Sequence, residues 1–414
     1  MKILWVKAGK LLPVDTGGKI RSYNILRFLA KEHSVTLLSY YGGRRDLDYE
    51  ARIDTELPGT VTIYTAAPDA TFLDKVCDYL RHLPKTSPHA VSKFTHPIVK
   101  QRLSAWLNEG SFDVAVCDFL SASLNFPDKA KTPAVLFQHN VESSLWYRLA
   151  ATELSPIKKL SFRIEASKMA RYEPSALRKF RRVIAVSEPD RQQMLAMSLD
   201  SDITVVPTGV DSQKFRAIMP STIKQTRVVF IGSMDWEPNI DAVQYFCEQI
   251  WPRVLADNPG AIFQIVGRNP HQKVQRLNAA SVKVTGTVSS VADYLRDATV
   301  VVVPLRIGGG TRLKIFEAMA MGKAVISTTI GAEGLDVENG RHLVLADDPG
   351  AFANAILLLL RDTNLRRQYE QAAAELAAQY DWSCIARKFA NALSMAQGIS
   401  TAGQAANIAA TVIA

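Results

Sequence analysis

The chain has 414 residues and is 47% hydrophobic, long enough for two or three domains and apolar enough for large buried cores, which excludes a disordered chain. Its net charge of +9 is uneven: residues 1–200 carry 29 basic and 21 acidic side chains, residues 201–414 carry 20 and 19. No apolar run approaches the ~20 residues of a bilayer span, and the four separated cysteines (Cys77, Cys117, Cys247, Cys384) offer no CxxC spacing and no zinc cluster.

The N-terminus, a short apolar patch broken by Lys2 and Lys7, reads as a first strand and not as a secretory leader. Val- and Ile-rich runs at 2–7, 34–39, 61–64, 113–117, 134–138, 183–186 and 203–206 are strand candidates. Between the first two, Ile20, Ile25, Leu26, Phe28 and Leu29 recur at helical spacing over 19–31. Such alternation predicts a parallel sheet covered on both faces. The segment Pro207-Thr208-Gly209-Val210-Asp211, with the polar stretch to Gln225, is a hinge candidate. A second series then begins, with strands at 228–231, 261–266, 282–285, 300–304, 324–327 and 342–345. Helices are expected at 240–255, 291–297, 314–321 and 351–360. One more helical pattern, with Ile385, Phe389 and Leu393, follows Trp382. The uncharged, Ala-rich residues 398–414 read as a loose tail. The chain is therefore α/β, with two doubly wound halves. Their ligands belong at the carboxyl ends of the strands, and two such halves facing each other place a site in a cleft.

Several motifs sit at those strand ends. Gly17 and Gly18, in Asp15-Thr16-Gly17-Gly18-Lys19, allow close backbone approach and open a helix whose N-terminus favours an anion; they equally suit a tight turn. His139, in Gln138-His139-Asn140-Val141-Glu142, ends an apolar strand and can hydrogen-bond a sugar hydroxyl or serve as a structural group, with Glu142 beside it. Gly232 and Arg268 lie at strand–turn junctions for which a ligand contact and a plain turn read equally well. The richest block, Arg306 to Ala320, runs from a strand through Gly308-Gly309-Gly310-Thr311 into a helix. Its backbone N–H groups and the cations Arg306, Arg312 and Lys314 suit a phosphate. Glu317, close to that phosphate site, suits a bidentate hydrogen bond to a vicinal diol such as a ribose.

This set resembles the family 4 glycosyltransferases, retaining enzymes with the two-domain GT-B fold, from residue 1 to about 396. The strongest block spans 304–335, with Gly310, Glu317-Ala318-Met319-Ala320, Gly322 and Gly331-Ala332-Glu333-Gly334-Leu335. Within the family the chain looks most like bacterial sugar transferases of exopolysaccharide and cell-surface polysaccharide assembly. The resemblance implies two Rossmann-like domains facing a central cleft. An acceptor-side domain would span 1–212 and be completed by a crossover helix at about 382–396; a nucleotide-sugar domain would span 222–381, leaving 397–414 as tail. It implies a nucleoside-diphosphate sugar donor and a glycan or lipid-linked acceptor. Gly17 and Gly18 would line the donor pyrophosphate and acceptor side, His139 would approach the transferred sugar, Gly310 and Thr311 would offer N–H groups, and Glu317 would hold the ribose. Two departures stand out. Position 309 is Gly where many members carry a first Glu, and the 233–237 turn lacks the Arg and Lys that clamp the phosphates elsewhere.

Catalytic work is accordingly expected of His139, Gly18 and Glu142. Donor binding is expected of Gly17, Gly232, Arg268, Arg306, Gly309, Gly310, Thr311, Arg312, Lys314 and Glu317. No metal and no further cofactor are expected. Asp118, at a strand end, is either an acceptor-side base or structural. Nine basic groups over 156–182 and the stripe Phe72, Leu73, Val76, Leu80, Leu83 suit an anionic membrane surface, or simply a solvated helix and a core stripe. The expected location is cytoplasmic, either free or peripheral on the inner face of the plasma membrane. Rival readings are a nucleotide-sugar epimerase or a phosphorylase of the same fold, and a basic nucleic-acid binder, which the lack of aromatic interleaving disfavours.

Overall fold

The computed structural model of the protein describes residues 1–65, 72–153, 155–216, 225–307 and 313–398. It divides into two compact units, one of Met1–Pro207 with the chain from Ile385 onward, the other Thr208–Cys384.

The first unit is built on β1 (Lys2–Ala8), β2 (Ser34–Tyr41), β3 (Val61–Tyr64), β4 (Val114–Asp118), β5 (Ala134–Phe137), β6 (Arg182–Ala185) and β7 (Ile203–Val205). They form one sheet in the order β3-β2-β1-β4-β5-β6-β7, every pair parallel. Ile3 to Val6 are wholly buried, as a central strand with helices on both faces requires. The helix Trp382–Ala396 ends on this sheet. Phe389 lies 5.3 Å from the Trp5 ring and 4.9 Å from Phe137, so the crossover helix completes the N-terminal core.

The second unit repeats the plan with β8 (Arg227–Ile231), β9 (Ile262–Val266), β10 (Val282–Gly286), β11 (Val300–Val303), β12 (Val325–Ser327) and β13 (Val344–Leu345), ordered β10-β9-β8-β11-β12-β13 and also parallel. In each sheet the order in which strands are added reverses once, between β1 and β4 and between β8 and β11. The crevice beyond the strand ends at such a switch point is where doubly wound sheets take ligands.

The helix expected at 240–255 is instead Glu237–Tyr245, a π turn Phe246–Ile250 and Trp251–Asp257. Pro252 has no N–H to return to residue 248, so the ladder widens there and re-registers. The unit boundary falls at 207/208, earlier than 212, because the chain after it joins the second unit. Val210 bridges Asp381, and Ser212 Oγ donates to Asp381 Oδ2 at 2.5 Å. The expected tail lies outside the described residues beyond 398, as does 217–224 of the hinge candidate. Among the described residues no helix is long and apolar enough to cross a membrane.

Candidate active site

In the N-terminal unit the switch point holds a buried charged network. Lys7 and Asp118 face each other across the β1–β4 register, and Lys7 Nζ donates to Asp118 Oδ2 at 2.8 Å. Asp118 Oδ1 lies 2.8 Å from His139 Nε2, and His139 Nδ1 lies 2.9 Å from an Arg21 guanidinium nitrogen. All four residues are at most 4% exposed. Arg21 can only donate, so Nδ1 accepts and Nε2–H donates to Asp118, which fixes the tautomer. Burial pulls the His139 pKa down to about 3, with Arg21 and Lys7 adding to the effect against Asp118. Burial alone would raise Asp118, but Lys7 and His139 override it and hold the carboxyl well below its usual range.

Phe119 closes this network from above. Its ring stacks on His139 at 3.6 Å with a 3° tilt, and Lys7 Nζ lies 4.8 Å from its centroid. Phe119 has φ +70°, a conformation unusual for a bulky residue. A Cβ on Gly18 would meet Phe119 Cζ at 2.4 Å. Gly18 is therefore glycine because an aromatic ring fills the space above it. Gly18→Ala is expected to destabilise the N-terminal unit by about 1–3 kcal/mol by overpacking, with Phe119→Leu restoring most of the loss in a denaturation series.

These contacts bear on two residues for which alternatives stood open. The His139 ring, expected to approach the sugar or to be a structural group, is buried with both nitrogens bonded, to Arg21 and Asp118, and so ties strand ends together. Asp118, bonded to Lys7 and His139, takes the structural of its two readings. Glu142 opens the helix Glu142–Thr152. Burial and Glu173 push its pKa up to about 7. Glu173, also buried, accepts from the Glu142 and Ser143 N–H groups, from Ser143 Oγ and from the Gln138 amide, and so caps that helix. Gly17 opens the helix Gly17–Glu32 as its first residue.

In the C-terminal unit the equivalent crevice gathers residues from three strand ends. Gly267 is pressed against the β8 turn: a Cβ there would lie 1.6 Å from the Gly232 carbonyl oxygen. A Cβ on Gly232 would meet the Asn239 amide at 2.7 Å and Lys314 Nζ at 3.0 Å. Lys314 Nζ donates to Asn239 Oδ1 at 2.8 Å and sits 4.3 Å from the Phe230 centroid; Asn239 Nδ2 donates to the Ser233 carbonyl. Arg268 Nε donates to Ser233 Oγ at 2.8 Å, and that hydroxyl donates to Asp235. Gly232, Arg268 and Lys314 thus converge. Glu317 stands one turn after Lys314 on the helix Leu313–Ala320. Burial pushes its pKa up to about 7, opposed by Lys214 and Lys314. Arg306 does not join them. Its guanidinium makes a two-point pair with Asp241 and lies over Tyr245 at 4.4 Å. Gly309, Gly310, Thr311 and Arg312 lie outside the described residues.

Sequence reading missed Lys7, Arg21 and Phe119 as partners of the His139 region, and Lys214 as a cation toward Glu317. A lysine inside a buried central strand was the one legible signal among them.

Two family matches cover most of the chain: "Glycosyltransferase Family 4" takes in residues 16–214 and "Glycosyl transferases group 1" residues 225–362. This chain is a glycosyltransferase of the family 4 type. It has the GT-B fold. The sucrose-phosphate synthase of Thermosynechococcus elongatus superposes with a TM-score of 0.70 at 17% identity, over 97% of this chain and 100% of that one. Anabaena HepE, solved with UDP, gives 0.66 at 17% identity, over 95% and 100%. In sequence, the phosphatidyl-myo-inositol mannosyltransferase of Mycobacterium leprae is 27% identical over 361 residues, 83% of this glycosyltransferase and 89% of that protein. A 44.6 kDa protein of unknown role from the cps region of Klebsiella pneumoniae is 27% identical over 139 residues, 31% of this chain and 36% of its own length.

Proposed function

We propose that this glycosyltransferase moves a sugar from a nucleoside-diphosphate sugar to a glycan or lipid-linked acceptor, with retention of anomeric configuration, in the building of surface polysaccharide. The observation that carries the donor assignment is the C-terminal crevice, where the Gly232 backbone closely approaches the Lys314 ammonium and the Glu317 carboxylate stands one helix turn after Lys314. In the transfer, the anomeric C–O bond breaks through an oxocarbenium-like state while negative charge builds on the leaving pyrophosphate. Lys314, Arg268 and N–H groups at the strand ends stabilise that charge, and Glu317 anchors the ribose. The complexes of Anabaena HepE with UDP and with UDP-glucose accord with a nucleotide-sugar donor. A thermal-shift screen of nucleoside diphosphates and their sugars tests the reading; stabilisation by none of them overturns it. Lys314→Ala is expected to raise the donor KM roughly tenfold, the size of one charge-assisted hydrogen bond, in initial-rate assays. Turnover is expected to survive EDTA.

The acceptor reading rests on the N-terminal unit. The helices Glu142–Thr152 and Pro156–Lys179 present Tyr147, Leu149, Ile157 and Leu160 to solvent beside Lys158 and Arg163, with Ile157 83% exposed. Exposed apolar side chains interleaved with cations suit the surface of an anionic membrane. The mannosyltransferase relatives, named for a phosphatidylinositol acceptor, favour a lipid-linked acceptor over a free glycan. Flotation with vesicles containing anionic lipid is expected to carry the protein at low salt and to fail with Ile157→Glu/Leu160→Glu.

A further inference from the structure

We propose that Asp78, His82 and His89 form a binding site for one zinc-class divalent cation, apart from both strand-end crevices. Asp78 and His82 are one turn apart on the helix Phe72–His82, and His89 opens the helix His89–Ser92. Their ligand atoms all lie within 4.8 Å of one another, and they are the one such group of His, Cys, Asp and Glu among the described residues. His82 Nδ1 is 3.4 Å from Asp78 Oδ1, and His89 Nε2 is 2.8 Å from Asp78 Oδ2. Ligands held about 2.1 Å from a tetrahedral zinc are themselves about 3.4 Å apart; each imidazole already lies about that far or nearer to one of the two Asp78 oxygens, and the 4.8 Å limit on the set leaves only a small inward movement to coordination spacing. Two imidazoles and one carboxylate are a borderline set that suits Zn2+ or its neighbours over Ca2+ or Mg2+.

The surroundings hold the ligands in place and leave a way in. The His89 ring meets Tyr79 edge-on at 5.5 Å, and the Tyr79 hydroxyl donates to the Ser161 carbonyl. Lys168 Nζ donates to the His82 carbonyl at 2.8 Å. The Asp78 side chain is 48% exposed, against 14% for His82 and 20% for His89, so a cation enters from the carboxylate side and leaves room for a water as fourth ligand. Without metal, His82 Nδ1 lies 2.8 Å from the Asp78 carbonyl oxygen and Nε2 lies 3.2 Å from Lys85 Nζ. Coordination through Nδ1 exchanges the bond to the carbonyl for a metal bond, moves the imidazole proton to Nε2 and releases the Lys85 contact. The bound cation ties the helix Phe72–His82 to residues 89–92 and, through Tyr79 and Lys168, to the helix Pro156–Lys179.

Metal-stripped, tag-free full-length protein titrated with Zn2+ against a chromogenic chelator tests this, with Co2+ absorption as a second probe of the ligand set. One equivalent per chain is expected, together with slower amide exchange over residues 74–92. The double variant His82→Gln/His89→Gln should lose at least roughly 100-fold in affinity, and Asp78→Asn, which keeps the side chain's shape, at least roughly tenfold. No stoichiometric uptake by the parent protein, or uptake unchanged in the double variant, overturns the site. Circular dichroism of each variant separates lost binding from lost fold, and Asp78→Asn carries the test if the double variant unfolds.

Discussion

Lys7→Met is expected to destabilise the N-terminal unit by about 3–5 kcal/mol, because it removes one partner of a buried ion pair and leaves Asp118 without its principal cation. The side chains of Lys7 and Asp118 are 5% and 0% exposed, so no solvent replaces what is lost. Asp118→Asn should cost less, since the amide still accepts from His139 and Lys7 is the longer, more adaptable partner. A double-mutant cycle over the two positions, read from the midpoint of urea unfolding, should show strong positive coupling; additive losses would sink the network reading. The pH dependence has a definite sign. His139 and Asp118 both have folded pKa values below their unfolded ones. Their contributions are therefore complete above the unfolded values and are lost as pH falls, first for His139 from about 6.5 toward about 3. Each proton taken up preferentially by the unfolded chain removes at most ~1.4 kcal/mol per pH unit. In Lys7→Met a cation that disfavours imidazolium is gone, so the His139 resonance should titrate at higher pH than in the parent.

How much of this was readable depends on how local each signal is. All thirteen strands among the described residues fall within a residue or two of the expected runs, because a parallel strand buried on both faces is a continuous apolar stretch. The polar helix Thr363–Ala378 carries no such stripe and was not foreseen. The placing of Gly232 at a strand end and of Lys314 and Glu317 one turn apart on a helix was legible because a strand–glycine–helix junction and a one-turn spacing are written in consecutive residues. The Lys7–Asp118 pair was not, since its partners lie 111 positions apart and only the β1–β4 register joins them. Gly18 was read as an anion cradle or a tight turn, and the aromatic ring that fills the space of its missing Cβ lies 101 positions on. Asp78 and His82 stand at helical spacing, but His89 comes from a separate helix, so a search for compact ligand motifs passed over all three.

Glu317→Gln should raise the KM for the nucleotide sugar by roughly 100-fold, the loss of two hydrogen bonds to a charged acceptor, while changing kcat far less. A ribose diol only donates to this carboxylate, and the ionised form accepts both bonds; the protonated form gives up one lone-pair face to its own hydrogen. The free protein holds Glu317 near a pKa of about 7, because burial outweighs Lys214 and Lys314. That value lies above the unfolded one. The residue's contribution to stability is therefore fully present below about pH 4.5 and is lost as pH rises through about 7. Donor binding runs the other way. Only the ionised fraction is competent, so the apparent Kd of a nucleotide sugar should weaken by about tenfold for each unit below roughly pH 6 and level off above pH 8. A nucleotide sugar is the right probe, since both its phosphates are diesters and stay singly charged across this range; free UDP would add its own titration. Calorimetric titrations between pH 5.5 and 8.5 should show the slope in the parent and a flat line in Glu317→Gln. The same slope in both proteins would place the titrating group elsewhere and remove Glu317 from the ribose.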